Sequence, residues 1–170
     1  QNKILFFSDH HHLHMLSAIA IFKDNIIFGS GPKQFRYLCS NDEYLTTAND
    51  IYSKTYISEL NERELSRLNN LDGCSTHPHH TFIQLLAETG LFGFSIFLFF
   101  YFVLFFFIFK LPKNSNNYNT KMILAFIILI NFSPFMPSGN FFNNYLSLVY
   151  FIPISILYAL ITKEKYDRSI

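Results

Sequence analysis

Three histidines, His77, His79 and His80, stand in the segment CSTHPHHTFIQLLAETGLFGF, directly ahead of a long apolar run, and Glu88 follows within that run. An imidazole with an unperturbed pKa near 6.5 can take a proton from a hydroxyl at neutral pH, so each of the three is a candidate base. The plainer alternative is that they cap and decorate the start of a helix. Glu88 is a functional candidate because a carboxylate at the rim of a bilayer is costly unless it faces water or a bundle interior. A place in the headgroup layer, capping a neighbouring helix, is the equal alternative. Upstream lie His10, His11, His12 and His14, and Arg36. A guanidinium recognises phosphate with two parallel hydrogen bonds, so Arg36 is a binding candidate if the substrate is anionic; an ordinary surface residue is the commoner alternative. The imidazoles are numerous enough for a zinc site, and His10 and His14 have i, i+4 spacing. The glutamate of an HExxH motif is absent, however, because His11 occupies its place, and no metal ligand is assigned.

The elements that must position these groups are membrane helices. No charged residue occurs from Leu91 to Phe109, which is long enough to cross a bilayer and lacks the polar face of a soluble helix. Phenylalanine contributes 22 of the 170 residues while charged residues supply 15%, and the apolar weight falls mostly after Thr81. A net charge of +1 excludes the concentrated basic face that a nucleic-acid partner requires. The expected fold is therefore all-α: polytopic membrane helices with a mostly helical periplasmic loop region. Residues 1–81 form that loop region with short helices. Residues 82–170 form the transmembrane part, with spans at about 85–109, 121–136 and 145–162. The chain begins at Gln1 with no signal-peptide pattern and reads as the C-terminal fragment of a larger membrane protein, inactive alone.

Within the polar half, Gln1–Phe7 is short and apolar, the end of a preceding membrane helix or an interfacial strand. Ser8-Asp9 is a cap for a helix ending near Asp24-Asn25, with Leu13, Leu16, Ala20 and Phe22 or Lys23 at helical spacing. Phe28-Gly29-Ser30-Gly31-Pro32 is a glycine-proline turn, Lys33–Cys39 a short helix, and Ser58–Leu68 a surface helix with a solvated charged face. In the apolar half, Lys110, Lys113 and Lys121 lie in the loop after the first span. Met122–Phe132 is short, cut off by Pro134, Pro137 and Gly139, and either just spans with tilt or ends in a protein-lined cavity. The third span closes on KEKYDR. The positive-inside rule places both basic segments in the cytoplasm and residues 8–81 outside. Cys39 and Cys74 then lie in an oxidising compartment and are expected to form a disulfide; unpaired thiols in a cytoplasmic loop are the alternative.

The segment around His79 resembles the signature of the O-antigen ligase and O-antigen polymerase superfamily, with His79 as the motif histidine and Gly90 as the motif glycine. IFKDNIIFGSGPKQFR resembles the family segment ending in a GxGPxxF turn, supplied by Gly29, Gly31, Pro32 and Phe35. SPFMPSGNFFNNYLSLVYF resembles the stretch after the penultimate helix, with Gly139, Phe142 and Asn143 in matching places. The resemblance implies a multi-pass enzyme of the bacterial inner membrane that transfers a glycan from undecaprenyl diphosphate to a hydroxyl of another glycan or of a lipid A core, with no metal or other cofactor. It implies His79 as base or hydroxyl-orienting residue beside Glu88, and Arg36, His77, His80 and His11 as substrate-binding residues. The chain departs from the pattern twice: His80 stands where the family has an amide or hydroxyl, and Asp9-His10-His11 where many ligases have an arginine. A protonated His10 or His11, or Arg36, then takes that arginine's role. A transporter or channel fragment, which would carry ionisable groups near the bilayer midplane, and a metal-binding periplasmic loop on a membrane anchor are the competing readings.

Overall fold

The structure, a computed structural model, describes residues 8–52, 54–111 and 114–167. The expected apolar segment Gln1–Phe7 and Lys113 lie outside them. Every regular element among the described residues is a helix, as expected, and the chain divides into two units.

The first unit comprises residues up to Phe94 together with Met136–Phe141. Its helix α1 is Asp9–Asp24, with Asp9 in the first turn and Lys23 in the last, each complementing the helix dipole. Ser8 occupies the N-cap position, but its hydroxyl meets Nδ1 of His11 at 3.1 Å instead of capping a backbone amide. The buried face of α1 is Leu13, His14, Ser17, Ala18 and Ile21, not the expected face of Leu13, Leu16 and Ala20. Its polar members are buried because tertiary partners satisfy them. Thr46 donates its hydroxyl to the Leu13 carbonyl (2.8 Å) and its amide to Ser17 Oγ (3.2 Å), so the 2.9 Å contact between the two hydroxyls has Ser17 as donor. A Cβ on Gly73 would strike both hydroxyls, which is why glycine stands where the chain bridges back at Thr47 and Asp72.

Short helices follow: α2 (Phe35–Leu38), α3 (Ala48–Ile51), α4 (Lys54–Ser58) and α5 (Glu62–Asn69). The expected helix over Ser58–Leu68 is thus two helices. Asn61 starts the second: its side chain accepts from the Glu64 amide at 2.9 Å, and the Glu64 carboxylate accepts from the Asn61 amide at 3.2 Å. Ala18, Ile21, Phe35, Cys39 and Ala87 form the core of the unit, ringed by Phe22, Leu38, Tyr44, Cys74 and Ile83. Burying Phe35 alone contributes roughly 1.5–3 kcal/mol. Cys39 and Cys74 are disulfide-bonded with their Cα atoms 4.9 Å apart, tying α2 to the segment that leads to the histidines.

Helix α6, Thr81–Phe109, is broken at Gly90, where φ is +63° and ψ −170°. In an unbroken helix the Leu91 and Phe92 amides would bond to the Ala87 and Glu88 carbonyls. Here they bond instead to the carbonyls of Ile26 (2.8 Å) and Ile27 (3.0 Å), while the Ala87 and Glu88 carbonyls accept from Ser30 (3.0 Å) and Gly31 (2.9 Å). The 26–31 segment is spliced into the helix, and every backbone group freed by the break finds a partner. A Cβ on Gly29 or Gly90 would meet the other segment's backbone, and both glycines have positive φ.

The second unit holds the remainder of α6, α7 (Tyr118–Asn131) and α8 (Asn144–Asp167). Helix α7 stops at Asn131, short of the expected 136, because Ser133-Pro134 cannot continue it; at 1.5 Å per residue its 14 residues cover about 21 Å. Among the described residues, Thr81–Ile108 and Asn144–Glu164 are long and apolar enough to cross a membrane. Lys121 is not a loop residue: it lies in α7, is 1% exposed, and forms an ion pair with Glu164 of α8.

Candidate active site at the head of the broken helix

The chain approaches α6 through Pro78, which is buried, and His79, which is held in the left-handed region at φ +54°. A non-glycine residue in that region is uncommon, and such strain gathers at functional sites. Residues 138–141 fix the approach from the other side. The Ser138 amide donates to the His79 carbonyl at 2.9 Å, and the Thr81 amide and hydroxyl both donate to Ser138 Oγ, at 2.6 and 2.7 Å. One turn on, Gln84 accepts from the Phe141 amide (3.0 Å) and donates to Asn140 Oδ1 (2.8 Å).

The His79 ring that results stands among imidazoles. Its centroid is 4.0 Å from that of His77, 5.1 Å from His11 and 5.3 Å from His14, with His14 stacked on it at 29°. His10 extends the cluster, 6.3 Å from His14. His79 Nε2 is 3.4 Å from Ser75 Oγ, and Nδ1 of the buried His14 has no hydrogen-bond partner. Burial, then the charges of His79, His10 and His11, outweigh the opposing influence of Asp72 and lower the His14 pKa to about 4. Burial and then His79 lower His77 to about 4 as well, with Arg36 contributing in the same direction. His79 itself is lowered, by burial and then by His11. All three rings are neutral at pH 7. Protonating one raises the electrostatic cost of protonating the next.

The other expected site residues fall in different places. Arg36 is exposed on α2, near enough to influence His77. His80 is buried, and its Nδ1 accepts from the Ile83 amide at 3.3 Å, at the first turn of α6. Glu88 is 1% exposed: Oε1 accepts from the Phe35 amide at 3.0 Å and Oε2 from Gln84 Nε2 at 3.0 Å. Gly29, Gly31 and Gly90 form the splice. Among the described residues, no three His, Cys, Asp or Glu side chains converge to hold a metal ion. Ser75, Gln84, Ser138 and Asn140 were not foreseen as site-builders. Gln84 had a sequence signal in its i, i+4 spacing to Glu88, and Ser138 and Asn140 in the polar SGN stretch after Pro137.

A disulfide-braced, histidine-bearing unit at the head of a broken apolar helix, followed by a second spanning helix, defines an all-α membrane protein with a polar site at the end of a span. The chain belongs to the O-antigen ligase family, whose match covers residues 13–98, from α1 through the break in α6. It is therefore a membrane protein of the ligase or polymerase glycosyltransferase type. No curated protein sequence and no solved structure matches it.

Proposed function

We propose that this chain carries the proton-accepting part of a site that moves a glycan from undecaprenyl diphosphate to an acceptor hydroxyl on another glycan or a lipid A core. The site faces the periplasm of a bacterial inner membrane, with residues 8–81 outside. The observation that supports it is the His79 ring, neutral at pH 7 and packed among His11, His14 and His77. In the proposed step, the acceptor oxygen attacks the anomeric carbon, the bond from that carbon to the phosphate oxygen breaks, and the diphosphate leaves with the bonding electrons. His79 takes the hydroxyl proton. If Nε2–H of His79 donates to Ser75 Oγ, Nδ1 presents the free lone pair, so Ser75 is a positioning residue that sets the tautomer. Arg36 faces the departing diphosphate, where a preorganised positive charge stabilises what develops in the transition state. His11 and His77 line the acceptor side.

His80 and Glu88 act through others. His80 caps α6, and Glu88 holds the start of α2 and thereby the position of Arg36. No metal takes part in the step. In the full-length enzyme, His79→Ala should lower glycan transfer by about 10²-fold or more, while EDTA leaves the wild-type rate unchanged. Transfer that survives His79→Ala, or that EDTA abolishes, overturns the proposal.

A further inference from the structure

We infer that Ile26, Ile27 and Phe28 form an apolar wedge that enters the acyl layer of the bilayer, in the leaflet nearer the histidine-bearing unit, at a depth fixed by the splice into α6. The three side chains are 47%, 63% and 72% exposed and consecutive, whereas the other exposed large hydrophobic residues of the same unit are Tyr37, Tyr56, Met136 and, beside the three, Leu91 and Phe92. A soluble surface does not present three consecutive large apolar residues without an occupant.

The occupant follows from what the wedge is joined to. Before Gly90, α6 is buried in its own unit: Gln84, Leu85, Ala87 and Glu88 are each 4% exposed or less. Directly after Gly90 the helix turns apolar and open, with Leu91 47% and Phe92 62% exposed. From Leu91 to Phe109 is 19 residues, about 28 Å at 1.5 Å per residue, close to the ~30 Å hydrocarbon thickness of a bilayer. Gly90 therefore marks the membrane surface, and Leu91 and Phe92 lie in the first layer of acyl chains. The wedge is bound at that same level, with the Ile26 and Ile27 carbonyls accepting from the Leu91 and Phe92 amides and the Phe28 ring 6.0 Å from that of Phe92. The open surface of Ile26–Phe28 thus continues the lipid-facing surface of the spanning helix. The hydrogen-bond exchange is what permits a non-helical segment at this depth, because backbone groups left unpaired in hydrocarbon cost several kcal/mol each. Lys23 and Lys33, both exposed, flank the wedge in the chain and keep their charged ends in the headgroup layer.

The chain has no tryptophan, so a single introduced one reports alone. Phe28→Trp is placed in the full chain and reconstituted in phosphatidylcholine–phosphatidylglycerol vesicles, with Phe92→Trp as the lipid reference and Tyr37→Trp as the aqueous one. Phospholipids brominated along their acyl chains should quench Phe28→Trp as strongly as Phe92→Trp, and aqueous iodide should reach only Tyr37→Trp. Quenching of Phe28→Trp by iodide and not by bromolipid overturns the inference. Protection from both quenchers also overturns it, since that result means a protein segment or a second copy covers the wedge. Ile27→Trp supplies the same readings independently if Phe28→Trp perturbs the fold. Neither outcome depends on whether His79 is a base.

Discussion

Glu88 offers the sharpest separation between a group that touches substrate and one that holds the site. Its carboxylate is buried and accepts two hydrogen bonds, from the Phe35 amide and from Gln84 Nε2, each at 3.0 Å. Replacing it by glutamine keeps the shape and removes the charge. The bond to Phe35 survives as a neutral one, a loss of about 1 kcal/mol, while the new amide group faces the Gln84 amide donor to donor and leaves buried N–H unsatisfied, a loss of about 1–3 kcal/mol. The sum, about 2–4 kcal/mol, falls on the junction between α6 and the start of α2. Hydrogen exchange reads it locally. At 1.36 kcal/mol per tenfold, the amides of Phe35–Leu38 should exchange about 30- to 900-fold faster in Glu88→Gln where local opening governs exchange. The double variant Gln84→Glu/Glu88→Gln exchanges the two ends of the same bond. The Phe141 amide still finds an oxygen at position 84, Asn140 turns its amide to donate, and both protection and transfer should recover. If instead Glu88→Gln leaves Phe35–Leu38 protected and abolishes transfer, and the exchanged pair stays inactive, Glu88 contacts substrate and the positioning role is refuted.

The pH dependence of stability should follow the buried imidazoles. His14 and His77 bind a proton near pH 6.5 when unfolded and near pH 4 when folded, so between those values the unfolded chain holds more protons. Stability is full above about pH 6.5 and is lost as pH falls toward 4; unfolding in detergent across that range should show the slope, and His14→Phe should flatten it. The Cys39–Cys74 bond closes a loop of 35 in sequence separation, so Cys39→Ser with Cys74→Ser should destabilise the first unit by about 3–4 kcal/mol on chain-entropy grounds. Equal unfolding midpoints with and without reductant would exclude that contribution. Gly90→Ala forces a Cβ onto the Ile27 carbonyl in a backbone conformation reserved for glycine and should cost about 3 kcal/mol or more. Gly31→Ala shares the strain of a positive φ but meets only Gln34 Cγ, at 3.3 Å, and should cost less, a ranking that thermal unfolding of the two variants checks.

Local signals carried the ends of the elements but not their partners. Ser8-Asp9 and Asp24-Asn25 bound α1 as expected, although Ser8 caps no backbone amide: the end charges of Asp9 and Lys23 act within a turn. The buried face of α1 was displaced from the apolar positions because Ser17 and His14 are polar residues buried by tertiary contacts, and nothing near them in the chain announces Thr46 or Gly73. The Asn61–Glu64 capping box was readable, yet the charged run around it reads as one helix. Gly90 was singled out as a motif residue. Its physical reason, the exchange of four backbone hydrogen bonds with residues 26–31, joins segments about sixty positions apart and has no local signature. The same holds for His14, whose place beside His79 depends on how α1 packs.

The three segments that carry the family resemblance all meet at residues 79–92, the start of α6 and the two residues ahead of it. The glycine-proline turn enters the break at Gly90, residues 138–141 clasp the first turn, and the histidines stand just ahead of it. Between the break and the histidines run Thr81–Thr89, nine helical residues or about 13 Å. A bilayer adds only some 5–8 Å of headgroup to each face of its hydrocarbon core. On the inference that the break lies at the acyl boundary, His79 would stand beyond the phosphates of ordinary lipids, which fits the lipid-diphosphate donor we propose. A soluble sugar donor needs no such spacing. A one-turn deletion within Thr81–Thr89 takes Gln84 or Glu88 with it, so it tests the spacing by survival: transfer retained from a lipid-diphosphate donor would detach the mechanism from the membrane geometry.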